Sequence, residues 1–291
     1  MTMAEHLATT RDQIPSGTLY VVATPIGNLD DLAPRARDIL GQVDIIAAED
    51  TRVSRRLLGD RAGPVRMISV NEHSEERVVD QLIDSLGNGK QVALVSDAGT
   101  PLVSDPGFRL VAAAHEAGIR VCPIPGPCAA IAAMSVAGLP SDRFHFEGFL
   151  PARKAARTRR LLVLSELPDT LIFYVPARDL PAVLDDLMES FGQERRATLA
   201  RELTKMHETV RCANVDQLRQ FVADDANQLR GEAVLVIAGN PQAEVPVSVP
   251  LLVRELAAEL PPSRAARVLA RLTHLSRQQA WDQIQALSSD S

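Results

Sequence analysis

The sequence predicts two α/β domains, the first on a mainly parallel sheet and the second on a mixed sheet, followed by a small helical tail. Three observations carry this. Short apolar runs alternate with amphipathic helical stretches from Leu19 to Gly239, the pattern of strand–helix–strand units. A chain of 291 residues has room for about two domains. The second half also holds two short strands flanking Arg201–His207, a hairpin-like pair that a purely parallel sheet does not accommodate. The expected partition is a disordered polar tail over 1–16, an N-terminal α/β domain over 17–126, a C-terminal α/β domain over 127–240, and a linker with helical tail over 241–291.

The composition is that of an ordinary globular protein. Hydrophobic residues make up 46% and charged residues 23%, enough for sizeable cores. Aromatics are only 3%, so those cores must be Leu, Val, Ile and Ala. A net charge of −6 excludes a chain that is basic throughout, although a local basic stripe still suffices for nucleic acid. Lys occurs only at 90, 154 and 205; the other cations are Arg. Cys122, Cys128 and Cys212 form no CxxC, so neither a disulfide framework nor a metal site is expected. Met1–Ser16 lacks the apolar core of a signal peptide, and no apolar run approaches the roughly 20 residues that span a bilayer. The expectation is a cytoplasmic protein with no membrane partner.

Taken in order, Leu19–Ala23 is a buried strand ending in Thr24-Pro25-Ile26-Gly27-Asn28, with a helical stripe through Leu32, Ala36, Ile39 and Leu40 after it. Asp44–Ala48 is the second strand; it ends in Glu49-Asp50-Thr51-Arg52 and leads into a short helix through Leu57 and Leu58. Val65–Val70 is the third, ending in Asn71-Glu72-His73, before a helix striped by Val78, Leu82, Ile83 and Leu86. Val92–Val95 is the fourth and runs into Ser96–Gly107, ahead of a helix from Phe108 to His115. Arg120–Ile124 is the fifth, ending in Pro125-Gly126-Pro127.

The loop Ser96–Gly107 holds two Gly and two Pro, which prescribe an unusual backbone path. Ser104 or Asp105 reads as a helix cap, which leaves Asp97–Pro101 unexplained except as a ligand loop. In a parallel sheet all five strand-end loops emerge on one edge, where open α/β sheets bind ligands. No GxGxxG follows the first strand and no GxxxxGK[ST] occurs, so neither the dinucleotide fingerprint nor a phosphate loop is present.

In the second half, Cys128–Val136 is a small-residue helix, and Phe144–Leu150, Thr170–Tyr174, Ala197–Ala200, Glu208–Cys212 and Gly231–Gly239 are strands, with a helix over Asp179–Phe191. Arg153, Lys154, Arg157, Arg159 and Arg160 form a dense basic run. It is either a solvated helix face or a contact for a phosphate backbone. Helical patterns over Leu251–Leu260, Pro262–Thr273 and Ser276–Leu287 complete the tail; the spacing from Ser263 to Arg277 suits a helix-turn-helix or a small helical cap.

Six stretches carry a resemblance: Leu19–Leu29, Ala47–Arg52, Leu94–Pro101, Pro125–Ala130, Gly138–Phe144 and Ala200–Lys205. Together they resemble the ribosomal RNA small subunit methyltransferase I family, 16S rRNA cytidine 2′-O-methyltransferases on the tetrapyrrole-methylase fold. The resemblance implies S-adenosylmethionine as methyl donor, held bent between two α/β domains without a Rossmann fingerprint. It also implies a homodimer in the bacterial cytoplasm. The target it implies is a decoding-region cytidine of 16S rRNA, met on the assembled small ribosomal subunit. By position, Pro25, Asp97, Thr100, Pro101, Cys128, Ala129 and Ala200 should lie around the cofactor. Two departures from the family pattern stand out. Val175 replaces a Glu in Phe173-Tyr174-Val175, with Arg178 as stand-in for a displaced Arg, and Asn71 precedes His73 in place of a His.

Methylating a ribose hydroxyl requires an in-line displacement, a proton acceptor and a cation to stabilise the forming alkoxide. The candidates are Glu49, Asp50, Arg52, His73 and Asp97 at the strand ends and Lys205 from the second domain. Asp97 is expected to shape the cofactor site and Lys205 to stabilise the alkoxide. Glu49, Asp50 and Arg52 form either a charged cluster facing RNA or local structure, with Glu49–Arg52 as an ion pair and Asp50 as a helix cap. His115 and His145 are expected to be structural. Two other functions stay open on the residues alone: a small-molecule methylase of the tetrapyrrole type, and a non-catalytic RNA-binding protein.

Overall fold

Strand residues alternate between two apolar layers in the first half of the chain, so its sheet is buried on both faces. In the computed structural model, which describes residues 17–59, 65–70, 75–242, 249–273 and 275–289, five strands build this sheet: β1 (Thr18–Val22), β2 (Ile45–Ala48), β3 (Arg66–Ser69), β4 (Val92–Val95) and β5 (Arg120–Ile124). Their order is β3-β2-β4-β1-β5, and every pairing is parallel. Tyr20, Val22, Ile46, Ala48, Ala93 and Val95 face one layer, with Ala36, Ile39 and Leu40 of α1 (Pro34–Leu40) and Leu58 of α2 (Thr51–Leu58). Leu19, Ile45, Ala47, Val92 and Leu94 face the other, with Leu82 and Leu86 of α3 (Glu75–Gly87) and Leu110 and Ala114 of α4 (Phe108–Glu116). The two-residue alternation thus serves two cores at once.

The second sheet is mixed, in the order β6-β7-β10-β8-β9. Its strands are β6 (Phe144–Phe149), β7 (Thr170–Pro176), β8 (Arg196–Arg201), β9 (Thr209–Asn214) and β10 (Glu232–Ile237). β6 and β7 are parallel; β10 runs antiparallel to both β7 and β8, and β8 to β9. One face packs on α6 (Lys154–Leu164), α7 (Leu180–Phe191) and α8 (Val215–Asp224). The other face, from Ile172, Ala200, Val234 and Val236, packs on Ala130, Ala133 and Met134 of α5 (Ala129–Val136). The chain therefore leaves the first sheet at Pro125–Pro127 and contributes to the second at once.

Most expected strands lie within one or two residues of their observed bounds. Helix α8 has no counterpart in the expected pattern, although its signal is in the sequence. Asn214 and Gln217 form a capping box in which each side chain receives the other's backbone N–H.

The chain separates into two compact units, Met1–Asn240 and Pro241–Ser291. In the second unit α9 (Val249–Glu259), α10 (Pro262–Leu272) and α11 (Arg277–Ser289) bury Val253, Ala265, Ala266, Leu269, Ala280 and Ile284 together. Arg264, Arg267, Arg271 and Arg277 are exposed. The expected tail over 1–16, the Asn71–His73 loop and its candidate His73 lie outside the described residues. No helix among the described residues is long and apolar enough to cross a membrane.

Candidate active site

Because β1, β4 and β5 are parallel neighbours, their end loops meet on one edge and are stitched together there. Thr24 and Gly99 exchange both backbone hydrogen bonds, at 2.8 and 3.1 Å. The Thr24 hydroxyl donates to the Ser96 carbonyl (3.2 Å), and the Thr100 hydroxyl donates to the Pro127 carbonyl (2.9 Å). Gly99 takes a φ of +88°, which favours glycine. Leu102 and Ser104 also take positive φ, at 73° and 67°. Non-glycine residues are held in that region only where their surroundings enforce it, and such positions cluster at functional sites.

This edge is one wall of a cavity of about 470 Å³, a size suited to a small-molecule ligand. Ile26, Glu49, Asp97, Ala98, Gly99, Thr100, Ser104, Asp105, Cys128 and Ala129 line that wall. Tyr174, Val175, Arg178, Ala200, Glu202, Leu203, Lys205 and Glu232 line the opposite one, from the second sheet. The cavity is apolar around Ile26, Ala129, Ala200, Leu203 and Val234 and rich in carboxylates elsewhere.

The carboxylates of the first wall differ in how they are held. Asp50 caps α2 by accepting the Arg52 N–H (2.8 Å) and also grips the Arg52 guanidinium, down to 2.6 Å. These bonds hold its carboxyl down to about 2. Asp97 Oδ1 accepts the Asp50 N–H at 3.0 Å, and Glu49 Oε2 receives the Asp97 N–H at 3.4 Å. Burial pushes both Asp97 and Glu49 above the usual carboxylate range. Asp105 is pushed furthest, to about 6, by burial and then by the negative charge of Glu49.

The second wall is pinned by buried Arg201, which donates to Gln228 Oε1 (2.9 Å), the Arg230 carbonyl (2.9 Å) and the His207 carbonyl (3.0 Å). These bonds hold the Glu202–Lys205 turn, in which Glu202 and Thr204 take φ of 51° and 66°. Lys205 Nζ donates to Glu202 Oε1 (2.8 Å) and Glu232 Oε2 (3.2 Å). Burial alone would lower the Lys205 ammonium, but these two partners outweigh it and hold the pKa above the ordinary value. Gly27 makes room for the turn: a Cβ there would collide with the Lys205 side chain. Tyr174 accepts the Ala130 N–H at 3.3 Å, and burial pushes its phenol up.

The structure places several of the expected site residues away from the cavity and others in it. Pro25 and Pro101 are buried and do not line the cavity; they set the backbone of the loops behind it. Asp50 and Arg52 also lie off the cavity, paired with each other, so Glu49–Arg52 is not the ion pair of this edge. Ser104 and Asp105 do not start the helix. That helix begins at Phe108 behind Gly107 with no side-chain cap, and both residues face the cavity. Asp97, Thr100, Cys128, Ala129, Ala200, Glu49 and Lys205 do meet there. Val175 and Arg178 line it as well. Asp105, Glu202 and Glu232 were not candidates. A carboxylate before Pro106-Gly107 reads as a cap, and the positive φ at Leu102, Ser104 and Gly107 that shapes its loop is invisible in sequence.

The basic run is divided. Arg157 is buried against Asp186, and Arg160 holds Glu147 through two bonds at 2.6 and 2.7 Å. Lys154 reaches Asp186 and Glu189 at 3.4 and 3.6 Å. Arg153 and Arg159 are exposed. His145 donates to or accepts from Glu147 at 2.9 Å within the same cluster.

The Tetrapyrrole (Corrin/Porphyrin) Methylases family matches residues 18–219. A ribosomal RNA small subunit methyltransferase I from Pseudomonas aeruginosa is 49% identical over 272 residues, spanning 92% of this chain and 96% of that protein. The chain belongs to the ribosomal RNA small subunit methyltransferase I family. This family's member shares its fold with a solved cobalt precorrin-4 methyltransferase at a TM-score of 0.59 and 18% identity, over 78% of this chain and 98% of that one. It also matches a uroporphyrin III C-methyltransferase from Thermus thermophilus, solved in complex with S-adenosylhomocysteine, at a TM-score of 0.50 and 17% identity over 76% and 97% of the two chains. The family match over residues 18–219 takes in the whole first sheet and four strands of the second, and most of the cavity lining with them.

Proposed function

We propose that this chain transfers a methyl group from S-adenosylmethionine to the ribose 2′-hydroxyl of a cytidine in the decoding region of 16S rRNA, on the assembled small subunit. The single observation that carries the reading is a carboxylate-lined, partly apolar cavity between two sheets, in a chain 49% identical to an rRNA small subunit methyltransferase I. The residues present fit the cofactor. Its adenine suits the surface of Ile26, Ala129, Ala200, Leu203 and Val234, and its two cationic centres suit Asp97 and Glu49. It carries no phosphate, in keeping with the absence of a glycine-rich phosphate loop. When bound it supplies a methyl group made electrophilic by a sulfonium.

The chain's own residues do the rest. Thr24, Gly99, Thr100 and Pro127 fix the floor, so the ligand meets a preorganised surface. Lys205, kept protonated by Glu202 and Glu232, supplies positive charge where an alkoxide forms. Asp50 and Arg52 stand beside the cavity and present a charged rim to RNA. Arg153 and Arg159, with Lys154, contact phosphates; Arg157 and Arg160 keep that helix in place. The domain boundary falls near residue 126, supported by α5 packing on the second sheet. The working form is a cytoplasmic homodimer.

The test is transfer of tritium from labelled S-adenosylmethionine to unmodified 30S subunits, followed by nucleoside analysis. The expected product is 2′-O-methylcytidine. Label in a tetrapyrrole, or none in any acceptor while RNA is bound, would replace the reading with one of the two other functions. In parallel, Asp97→Ala should lose cofactor affinity, while Lys205→Ala should lose turnover.

A further inference from the structure

The cleft contains more carboxylates than the cofactor needs, and they are not equivalent. Asp50, beside the cleft, is held by a guanidinium and a backbone N–H. Asp97 accepts the Asp50 N–H, Glu49 accepts the Asp97 N–H, and Glu202 receives both Lys205 and the Glu232 N–H. Each of these has a geometry set by a donor. Asp105 forms no ion pair among the described residues, and the neighbouring Ser96 side chain offsets its burial only in part. Its surroundings are otherwise anionic, with the charges of Glu49 and Asp97 acting on it, and Tyr174 of β7 lines the same cleft. Arg178 and Lys205 are the cations lining the same cleft, and Lys205 is held by Glu202 and Glu232 rather than by Asp105.

The backbone is built to put Asp105 there. Leu102 and Ser104 are held at positive φ. Gly107 takes φ of +121°, and a Cβ there would lie 2.7 Å from Leu94 Cδ2. Gly148, at the irregularity in the β6–β7 pairing, leaves space for Ser104: a Cβ would lie 2.9 Å from its Oγ. Three constrained positions and a β-bulge thus serve one short segment whose only charged side chain is Asp105.

We propose that Asp105 is the proton acceptor for the attacking ribose hydroxyl, an assignment that rests on the methylation reading above. Its carboxylate takes the hydroxyl proton as the oxygen forms its bond to the methyl carbon. The electron pair of the carbon–sulfur bond stays on sulfur, which becomes neutral, and Asp105 then releases the proton to solvent. A half-buried carboxylate titrating near neutrality has the basicity this task favours. Arg178, exposed and 3.9 Å from Asp179, lines the same cleft and is available to the substrate's phosphate.

The experiment compares the full-length wild type with Asp105→Asn in three measurements. Turnover on 30S subunits should fall by about 100-fold or more. Affinity for S-adenosylmethionine, read by calorimetry, should stay within about threefold, a difference of about 0.7 kcal/mol. Carboxyl carbon NMR of aspartate-labelled protein should show one resonance titrating near pH 6 in the wild type and missing from the variant. Turnover within threefold of wild type overturns the assignment, as does a loss of cofactor affinity that accounts for the loss of rate. If Asp105→Asn does not fold, Asp105→Ser carries the same measurements. A wild type that transfers no methyl to 30S subunits overturns the methylation reading itself, a result distinct from failure of Asp105 alone.

Discussion

Arg157 and Asp186 form a buried ion pair, Nε to Oδ2 at 2.6 Å, with 10% and 1% of their side chains exposed. It joins α6 to α7 beneath the basic run, and Arg157 also donates to the carbonyls of Pro151 and Ala152. Removing one partner leaves a buried charge uncompensated, which typically costs about 3–5 kcal/mol. Asp186→Ala should therefore lower the thermal midpoint sharply, as read by calorimetry. A change of less than 1 kcal/mol would show that water reaches the pair.

The exposed members of the run make the opposite prediction. Arg153→Glu with Arg159→Glu should weaken RNA binding while leaving the thermal midpoint and cofactor affinity in place. Each lost phosphate contact lowers the slope of log affinity against log salt by roughly 0.7–0.9. Filter binding at three salt concentrations reads this directly. Unchanged affinity would reduce these two arginines to a solvated face.

Gly107→Ala should be costly out of proportion to its size. The added methyl meets Leu94 in the middle of the first sheet, and the φ of +121° strains any side chain. Overpacking of this kind costs about 1–3 kcal/mol. The variant should melt earlier and turn over more slowly, because the same turn carries Asp105.

Asp105 also sets a pH dependence of stability. Its folded-state pKa is raised to about 6 from 3.8, so between these values the folded chain binds more protons than the unfolded chain. Stability contributed by this group is present at low pH and is lost as pH rises from about 4 through 6. Asp105→Asn removes that loss. The variant should melt higher than wild type at pH 8, and the gap should close towards pH 4. An equal gap at both ends would assign the difference to packing instead.

Much of the fold was legible in the residues. Val92–Val95 and Arg120–Ile124 stand where the apolar runs place them. The single parallel edge followed from strand–helix alternation alone. Three features of the site were not legible, for separate physical reasons. Pro25 and Pro101 sit in the right loops, but sequence adjacency does not say which side of a loop meets a cavity. Arg157 reads like its neighbours, yet α6 turns it inward, where Asp186 from a later helix awaits it. Asp105 depends on the handedness of the backbone at Ser104, a property of the folded loop.

The paired bonds between Thr24 and Gly99 tie the site to the register of the sheet. Leu19, Tyr20 and Val21 align with Val92, Ala93 and Leu94, and that alignment brings Thr24 opposite Gly99. A slip of one residue would exchange every inward and outward side chain of β1 and would separate the two loops. A chain mispaired there has no floor on which to hold a ligand. Any molecule that binds this floor therefore selects the correctly aligned sheet and stabilises it by mass action.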